Sequence, residues 1–218
     1  MFIKTTTGAR GGFLARLNML ETLVLAAICL IGIAGVMLIG KGAFIKAKAE
    51  LSQVLLKRSF AAQLDGGTGG KPWPWADFST EAEIVAPRIG RSAIVLSGAS
   101  GEALAFGPAR LANTPMPGES GTAVIAAHRD THFRWLKEVK PGDLLMIKRR
   151  DGKTLTFRAG QGRIARWDQS GINANAPGRH LALATCWPFE ATVQGPLRYI
   201  VSAELISDAG KQSFASLN

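Results

Sequence analysis

Cysteine is scarce in this chain, with Cys29 and Cys186 the only two among 218 residues. Cys29 falls inside an apolar run, so it is not expected to meet Cys186, and a disulfide framework is excluded as the basis of the fold. A chain of this length buries an adequate core without one. Histidine is almost as rare, at positions 128, 132 and 180. Zinc-finger spacing and the aromatic RNP pattern are both missing, which excludes the common nucleic-acid modules. There is no internal repeat and no low-complexity tract. Acidic residues are outnumbered 16 to 26, for a formal net charge of +10. That balance suits an anionic lipid or wall polymer, but the basic residues are spread along the chain. The densest cluster, Lys148-Arg-Arg150, precedes Asp151-Gly152 and reads as the solvated end of a hairpin. No nucleic-acid partner is expected.

Charge is also absent from residues 22–40, a run rich in Leu, Ile, Val and Ala. Nineteen residues of helix span about 28 Å, close to the roughly 30 Å of a bilayer's hydrocarbon. A cleaved signal peptide normally has an apolar core of only about 7–15 residues, so an uncleaved transmembrane anchor is expected. Lysines and arginines flank the run on both sides, at 4, 10 and 16 and again at 41, 46, 48, 57 and 58. Flanking charge alone would keep the following domain inside the cell. Residues 1–21 form an N-terminal tail, expected to be cytoplasmic. Residues 43–64 read as a helix, with Leu51, Val54, Leu55 and Phe60 near i, i+3, i+4 spacing. Gly66-Gly-Thr-Gly-Gly70 reads as a hinge, so residues 41–70 are assigned as stalk and linker. The folded domain is placed at 71–206, and 207–218 as a loose tail.

Beyond the hinge the pattern is short β. Strands are expected at 84–87, 92–96, 122–127, 143–148, 153–158 and 162–167, and on either side of the loop after Cys186. About eight short strands argue for an all-β barrel or sandwich. A single short helix is expected at 133–138. Trp73 and Trp75, each directly after a proline, are expected to seal one end of the core.

Leu181-Ala-Leu-Ala-Thr-Cys186 reads as a strand ending in a lone thiol, and Leu197-Arg198-Tyr-Ile-Val201 as the next strand. A thiolate nucleophile needs a base or a cation nearby. His180 shares the strand with Cys186, but six residues away it stands about 20 Å off, too far for proton transfer. His132 is expected to open the short helix. His128, at the end of the strand 122–127, remains as the acid/base candidate. Arg198 falls beside the thiol if the two last strands pair antiparallel. It cannot act as a base but can stabilise developing negative charge. His128-Arg-Asp130 is not a kinase catalytic loop, since the glycine-rich loop and the Asn are missing. His128-x-x-x-His132 has zinc spacing, but Arg129 stands where a metalloprotease carries glutamate. The remaining metal reading would add Cys186 or His180 to that pair. No metal and no cofactor is expected.

These residues resemble the sortases, membrane-anchored cysteine transpeptidases. Leu181-Ala-Leu-Ala-Thr-Cys186 is similar to their T-L-x-T-C signature, with Ala182 in place of the first Thr. Val124-Ile-Ala-Ala-His128-Arg-Asp130 is similar to their G-H-R-D strand end, with Ala127 for Gly, and Leu197-Arg198-Tyr-Ile-Val201 to the strand bearing their arginine. Pro72-Trp-Pro-Trp-Ala-Asp77, Ala103-Leu-Ala-Phe-Gly-Pro108, His128-Arg-Asp-Thr-His-Phe133 and Thr185-Cys-Trp-Pro-Phe189 resemble most closely the sortases of Gram-negative, often marine, bacteria, called class GN. The resemblance covers residues 71–205.

It implies an eight-stranded sortase-like β-barrel with short helices behind the N-terminal transmembrane helix. It implies an inner-membrane, single-pass protein with its catalytic domain in the periplasm. Cys186 would attack a carbonyl within a C-terminal sorting motif similar to L-P-x-T-G, forming a thioacyl-enzyme. His128 would act as acid and then base while an amine acceptor takes the acyl group. Arg198 would hold the substrate or oxyanion, with Thr185 beside it, and Trp187 would form an apolar lip of the peptide groove. Asp130 orients His128 or caps the short helix; both roles stay open. Two rival functions remain: a thiol hydrolase of the same fold, and a non-catalytic, membrane-tethered barrel that binds an anionic surface.

Overall fold

The structure, a computed structural model of the chain, describes residues 18–67 and 71–209. Most of the expected N-terminal tail, the centre of the glycine hinge at 68–70 and the end of the C-terminal tail at 210–218 lie outside the described residues. The chain divides into two compact units, Met1–Glu50 and Leu51–Asn218.

A single helix, α1 (Met19–Leu64), crosses the boundary between those units. Its start follows from a reciprocal cap. The Glu21 amide donates to Asn18 Oδ1 at 2.9 Å, and the Asn18 amide donates to Glu21 Oε2 at 2.9 Å. Met19–Phe44 is long and apolar enough to cross a membrane.

In the second unit the end of α1 is part of the folded body. Leu56 and Phe60 are buried against Phe78, Ile94, Leu96, Ala103 and Ala109. Burying each such side chain contributes about 1.5–3 kcal/mol. Gln53 Nε2 donates to the Phe106 carbonyl at 2.8 Å. The buried stripe is therefore Ser52, Leu56 and Phe60, at strict i, i+4 spacing, while Leu51 and Val54 face outward. Trp73 packs edge-on against Phe78 and Phe106, with centroids 5.5 and 4.9 Å away. Trp75, expected beside it, is 80% exposed.

Eight strands close into a barrel: β1 (Thr80–Ala86), β2 (Arg91–Ser97), β3 (Ala109–Arg110), β4 (Gly121–Ala126), β5 (Leu144–Arg149), β6 (Thr154–Arg166), β7 (Arg179–Cys186) and β8 (Leu197–Ala209). Around the barrel they run β1-β2-β3-β4-β7-β8-β6-β5. The β2–β3 and β4–β7 pairs are parallel and the others antiparallel. Closure leaves no free sheet edge.

The strands expected at 153–158 and 162–167 are one strand, β6, whose pairing with β8 shifts between Ala159 and Gly162. Glycine lets the chain pass this irregularity, since a Cβ at Gly162 would overlap the Tyr199 hydroxyl. β8 runs on to Ala209, so the region assigned as a loose tail begins inside a strand. The short helix expected at 133–138 is a 3-10 helix at Arg134–Glu138. A further helix, α2 (Gly101–Phe106), was not expected. Ser100 caps it by accepting from the Ala103 amide at 3.0 Å.

Strand alternation sorts the side chains into two sets. Ala123, Ile125, Leu181, Leu183, Val201 and Ala203 fill the barrel interior. Val124, Ala182 and Ile200 form a separate apolar group on the other face, joined by Leu111, Ile172 and Ala184.

Candidate active site

That second face carries the site. β4 and β7 run parallel with Ala126 opposite Ala184. Two residues further along each chain come His128 and Cys186, so the parallel register brings imidazole and thiol out side by side at the ends of neighbouring strands. Antiparallel pairing of β7 with β8 sets Arg198 directly opposite Cys186. Directly opposed residues have Cα atoms about 4.5–5.5 Å apart. Three side chains far apart in sequence thus meet at one edge of the barrel.

Two bonds hold the His128 end of this arrangement. The Ala127 amide donates to the Ala184 carbonyl at 3.2 Å, extending the ladder past β4. The Thr185 hydroxyl donates to the Ala127 carbonyl at 2.7 Å, a contact buried from solvent. Thr185 therefore ties the strand end in place. After His128 the chain turns, and the Phe133 amide donates back to the His128 carbonyl at 3.0 Å.

Cys186, His128 and Arg198 border a cavity of about 370 Å3. Its floor is Val124, Ala126, Ala184 and Ile200, its walls include Leu104, Leu111 and Ile172, and Gln194 and Trp167 stand at its margin. These surfaces suit apolar groups of a bound molecule. Leu111 is placed by Arg110, whose guanidinium donates to the Glu81 carboxylate at 2.7 and 3.0 Å and to the Thr114 carbonyl. The bond to Glu81 holds the Arg110 guanidinium above its ordinary range despite burial.

The Arg198 guanidinium is folded toward its own loop. Nη1 donates to the Gly195 carbonyl at 2.8 Å and to the Leu197 carbonyl at 2.9 Å. Cys186 is half-buried and free, and His128 is exposed. Trp187 is not among the residues lining the cavity. It stacks on Tyr199 at 5.8 Å and meets Phe189 edge-on at 5.6 Å. His180 opens β7 at the end opposite Cys186, with Nε2 2.8 Å from the Pro177 carbonyl oxygen, so it joins no cluster with the thiol. Burial pushes the His132 imidazole below its ordinary range, with the Ala105 carbonyl opposing that shift. The 3-10 helix carries no side-chain cap at its start, so the capping role left open for Asp130 is not realised there.

Leu111, Trp167, Ile172 and Gln194 were not singled out as site residues in the sequence, and Leu104 was noted only within Ala103-Leu-Ala-Phe-Gly-Pro108, because the cavity is made by elements distant in sequence. Arg129 was noted as breaking a zinc motif and as part of the His128-Arg-Asp130 stretch, without a role of its own, yet it is buried.

A sortase domain family model matches residues 84–206. The chain belongs to the sortase family. Sortase D of Bacillus subtilis (strain 168) is 29% identical over 122 residues, covering 56% of this chain, and the chain spans 61% of that relative's length. Sortase A from Corynebacterium diphtheriae superposes with a TM-score of 0.56 at 24% identity, covering 66% of this chain and 68% of that one. The catalytic domain of B. anthracis SrtD gives a TM-score of 0.51 at 29% identity, covering 61% of this chain and 90% of that one. The first superposition shows the shared fold. In this sortase-family barrel, the stretch 181–186 noted in the sequence lies wholly within β7 and ends it at Cys186.

Proposed function

We propose that the chain is a cysteine transpeptidase of the sortase type, with Cys186 as nucleophile, His128 as acid and base, and Arg198 as the cation beside them. The observation that carries this reading is the convergence of the three side chains, from the ends of neighbouring chain segments, on one apolar-walled cavity.

The Cys186 thiolate attacks the carbonyl carbon of a peptide bond in a C-terminal, L-P-x-T-G-like sorting motif. The carbonyl electrons move to oxygen, where positive charge and aligned donors stabilise the oxyanion. Arg198 supplies the charge; with Nη1 held by its own loop, the rest of the guanidinium serves this task. Collapse expels the C-terminal fragment as an amine, which takes a proton from the His128 imidazolium. A thioester on Cys186 remains. An amine acceptor then loses its proton to His128, attacks the thioester and releases the Cys186 thiolate. Thr185 contributes by fixing the Ala127 carbonyl just ahead of His128.

The apolar stretch Met19–Phe44 is read as an uncleaved anchor in the inner membrane of a Gram-negative bacterium. The barrel is then periplasmic, and the chain falls with the class GN sortases.

The test is to incubate the full chain in detergent with a quenched L-P-x-T-G-type peptide, with and without an added amine. Transpeptidation predicts cleavage and a product heavier by the amine, both lost in Cys186→Ala. Equal turnover in Cys186→Ala would sink the assignment, and water as sole acceptor would make the protein a hydrolase.

A further inference from the structure

We infer that Arg129 is a positioning residue that locks the β7–β8 loop onto the turn carrying His128 and so sets the mouth of the substrate cavity. Arg129 follows His128 directly, and only 8% of it is exposed. Its Nη2 donates to the Ala191 carbonyl, and to the Val193 carbonyl at 2.9 Å. Both acceptors lie in the loop between β7 and β8. The next residue, Gln194, lines the cavity, and the one after it, Gly195, gives its carbonyl to Arg198. A continuous set of contacts therefore runs from the His128 turn, through one guanidinium, to the loop that holds Arg198.

The energetics give this contact its leverage. Arg129 takes part in none of the six described ion pairs. Its Nη1 is buried without a partner. The loop carbonyls are thus the groups that compensate the buried charge. If the loop swung away, the guanidinium would be left buried and unpaired, a costly state. The loop's position and the charge's solvation are one equilibrium. One nitrogen, Nη2, held in the plane of the guanidinium, reaches both carbonyls; a lysine ammonium in the same place is a point charge on a more flexible stem.

The inference deepens the transpeptidase reading and rests on it, so the test separates the two. Arg129→Lys is compared with the unaltered full chain in detergent by backbone hydrogen exchange, peptide kinetics, iodoacetamide alkylation of Cys186 and melting temperature. Amides at 190–195 are expected to exchange faster while those of β4 and β7 do not change. Losing a charged hydrogen bond at the cavity mouth is expected to raise the peptide KM roughly tenfold while the alkylation rate stays within about twofold. Unchanged exchange at 190–195 would overturn the inference. So would alkylation, turnover and melting temperature all falling together, which marks a merely structural arginine. If Arg129→Lys does not fold, the unaltered chain decides by nitrogen NMR. Resolved Nη signals for Arg129 in slow exchange with solvent support the clamp, and one averaged signal overturns it. Absent peptide turnover in the unaltered chain sinks the transpeptidase reading, while the exchange and NMR results still judge Arg129.

Discussion

The Thr185 hydroxyl reaches from β7 to the carbonyl of Ala127, one residue before His128, at 2.7 Å. The residue beside the thiol thereby holds the strand end that presents the imidazole. Thr185→Val keeps the side-chain shape and removes the donor. The Ala127 carbonyl would be left buried and short of a partner, at a cost of about 1–3 kcal/mol. A small displacement of His128 would lower peptide kcat/KM by roughly tenfold to a hundredfold. Thr185→Ser should restore most of both. Denaturant titration and peptide kinetics on the three proteins check this, and full activity in Thr185→Val would leave Thr185 without a positioning role.

Phe60 tests where the folded body begins. Its ring is 3% exposed, packed among residues of β2, α2 and β3. Phe60→Ala should cost about 3–5 kcal/mol. A chain started at Lys71 loses Leu56 and Phe60 together, and should melt well below one started at Leu51. Calorimetry of the two shortened proteins decides. Equal melting temperatures would return residues 51–64 to the role of a stalk.

The strands and the candidate residues were legible from local signals, whereas closure into a barrel rather than a sandwich was implied by the resemblance to sortases. Alternation marked β4, β7 and β8, and a lone cysteine with few histidines left little choice of partner. What escaped depends on tertiary placement. Whether Leu56 or Leu55 faces inward is fixed by what lies under the helix. Leu111 enters the cavity wall beside Arg110, which pairs with Glu81 29 residues away. The burial of Arg129 required knowing where the β7–β8 loop closes. The joining of two expected strands into β6 turned on Gly162 clearing Tyr199.

Two groups give the stability a pH signature. The folded His132 titrates below its ordinary value because burial disfavours its charged form. The unfolded chain then binds the extra proton first as pH falls. Stability is therefore full above about 6.5 and declines as pH drops through the folded value. Asp143 is held below its usual range mainly by its bond to Arg88. Its contribution is present above the unfolded carboxylate value and is lost only at still more acid pH. Melting temperatures from pH 8 to 5 should fall less in His132→Gln than in the unaltered chain, because Gln cannot take up the proton. Parallel curves would remove His132 as the cause.

Trp187 is the residue whose meaning changed most between sequence and structure. As the neighbour of the nucleophile it read as a lip of the peptide groove. Alternation turns it away from Cys186, and its ring stacks on Tyr199, which pairs with Thr185 across β7 and β8. Phe189 closes the group against both rings, with Lys137 Nζ 5.9 Å from the Phe189 centroid. Three rings in mutual contact at the exit of β7 brace the strand that presents the thiol. Trp187→Ala should therefore lower stability by about 2 kcal/mol, less than a fully buried tryptophan because the ring is partly exposed. Turnover should fall mainly through a lower kcat as Cys186 loses its support, and Trp187→Phe should recover both. If the ring instead touches substrate, Trp187→Ala will raise KM with the melting temperature unchanged. Steady-state kinetics paired with thermal melts distinguish the two, since the brace moves kcat and stability together and the lip moves KM alone.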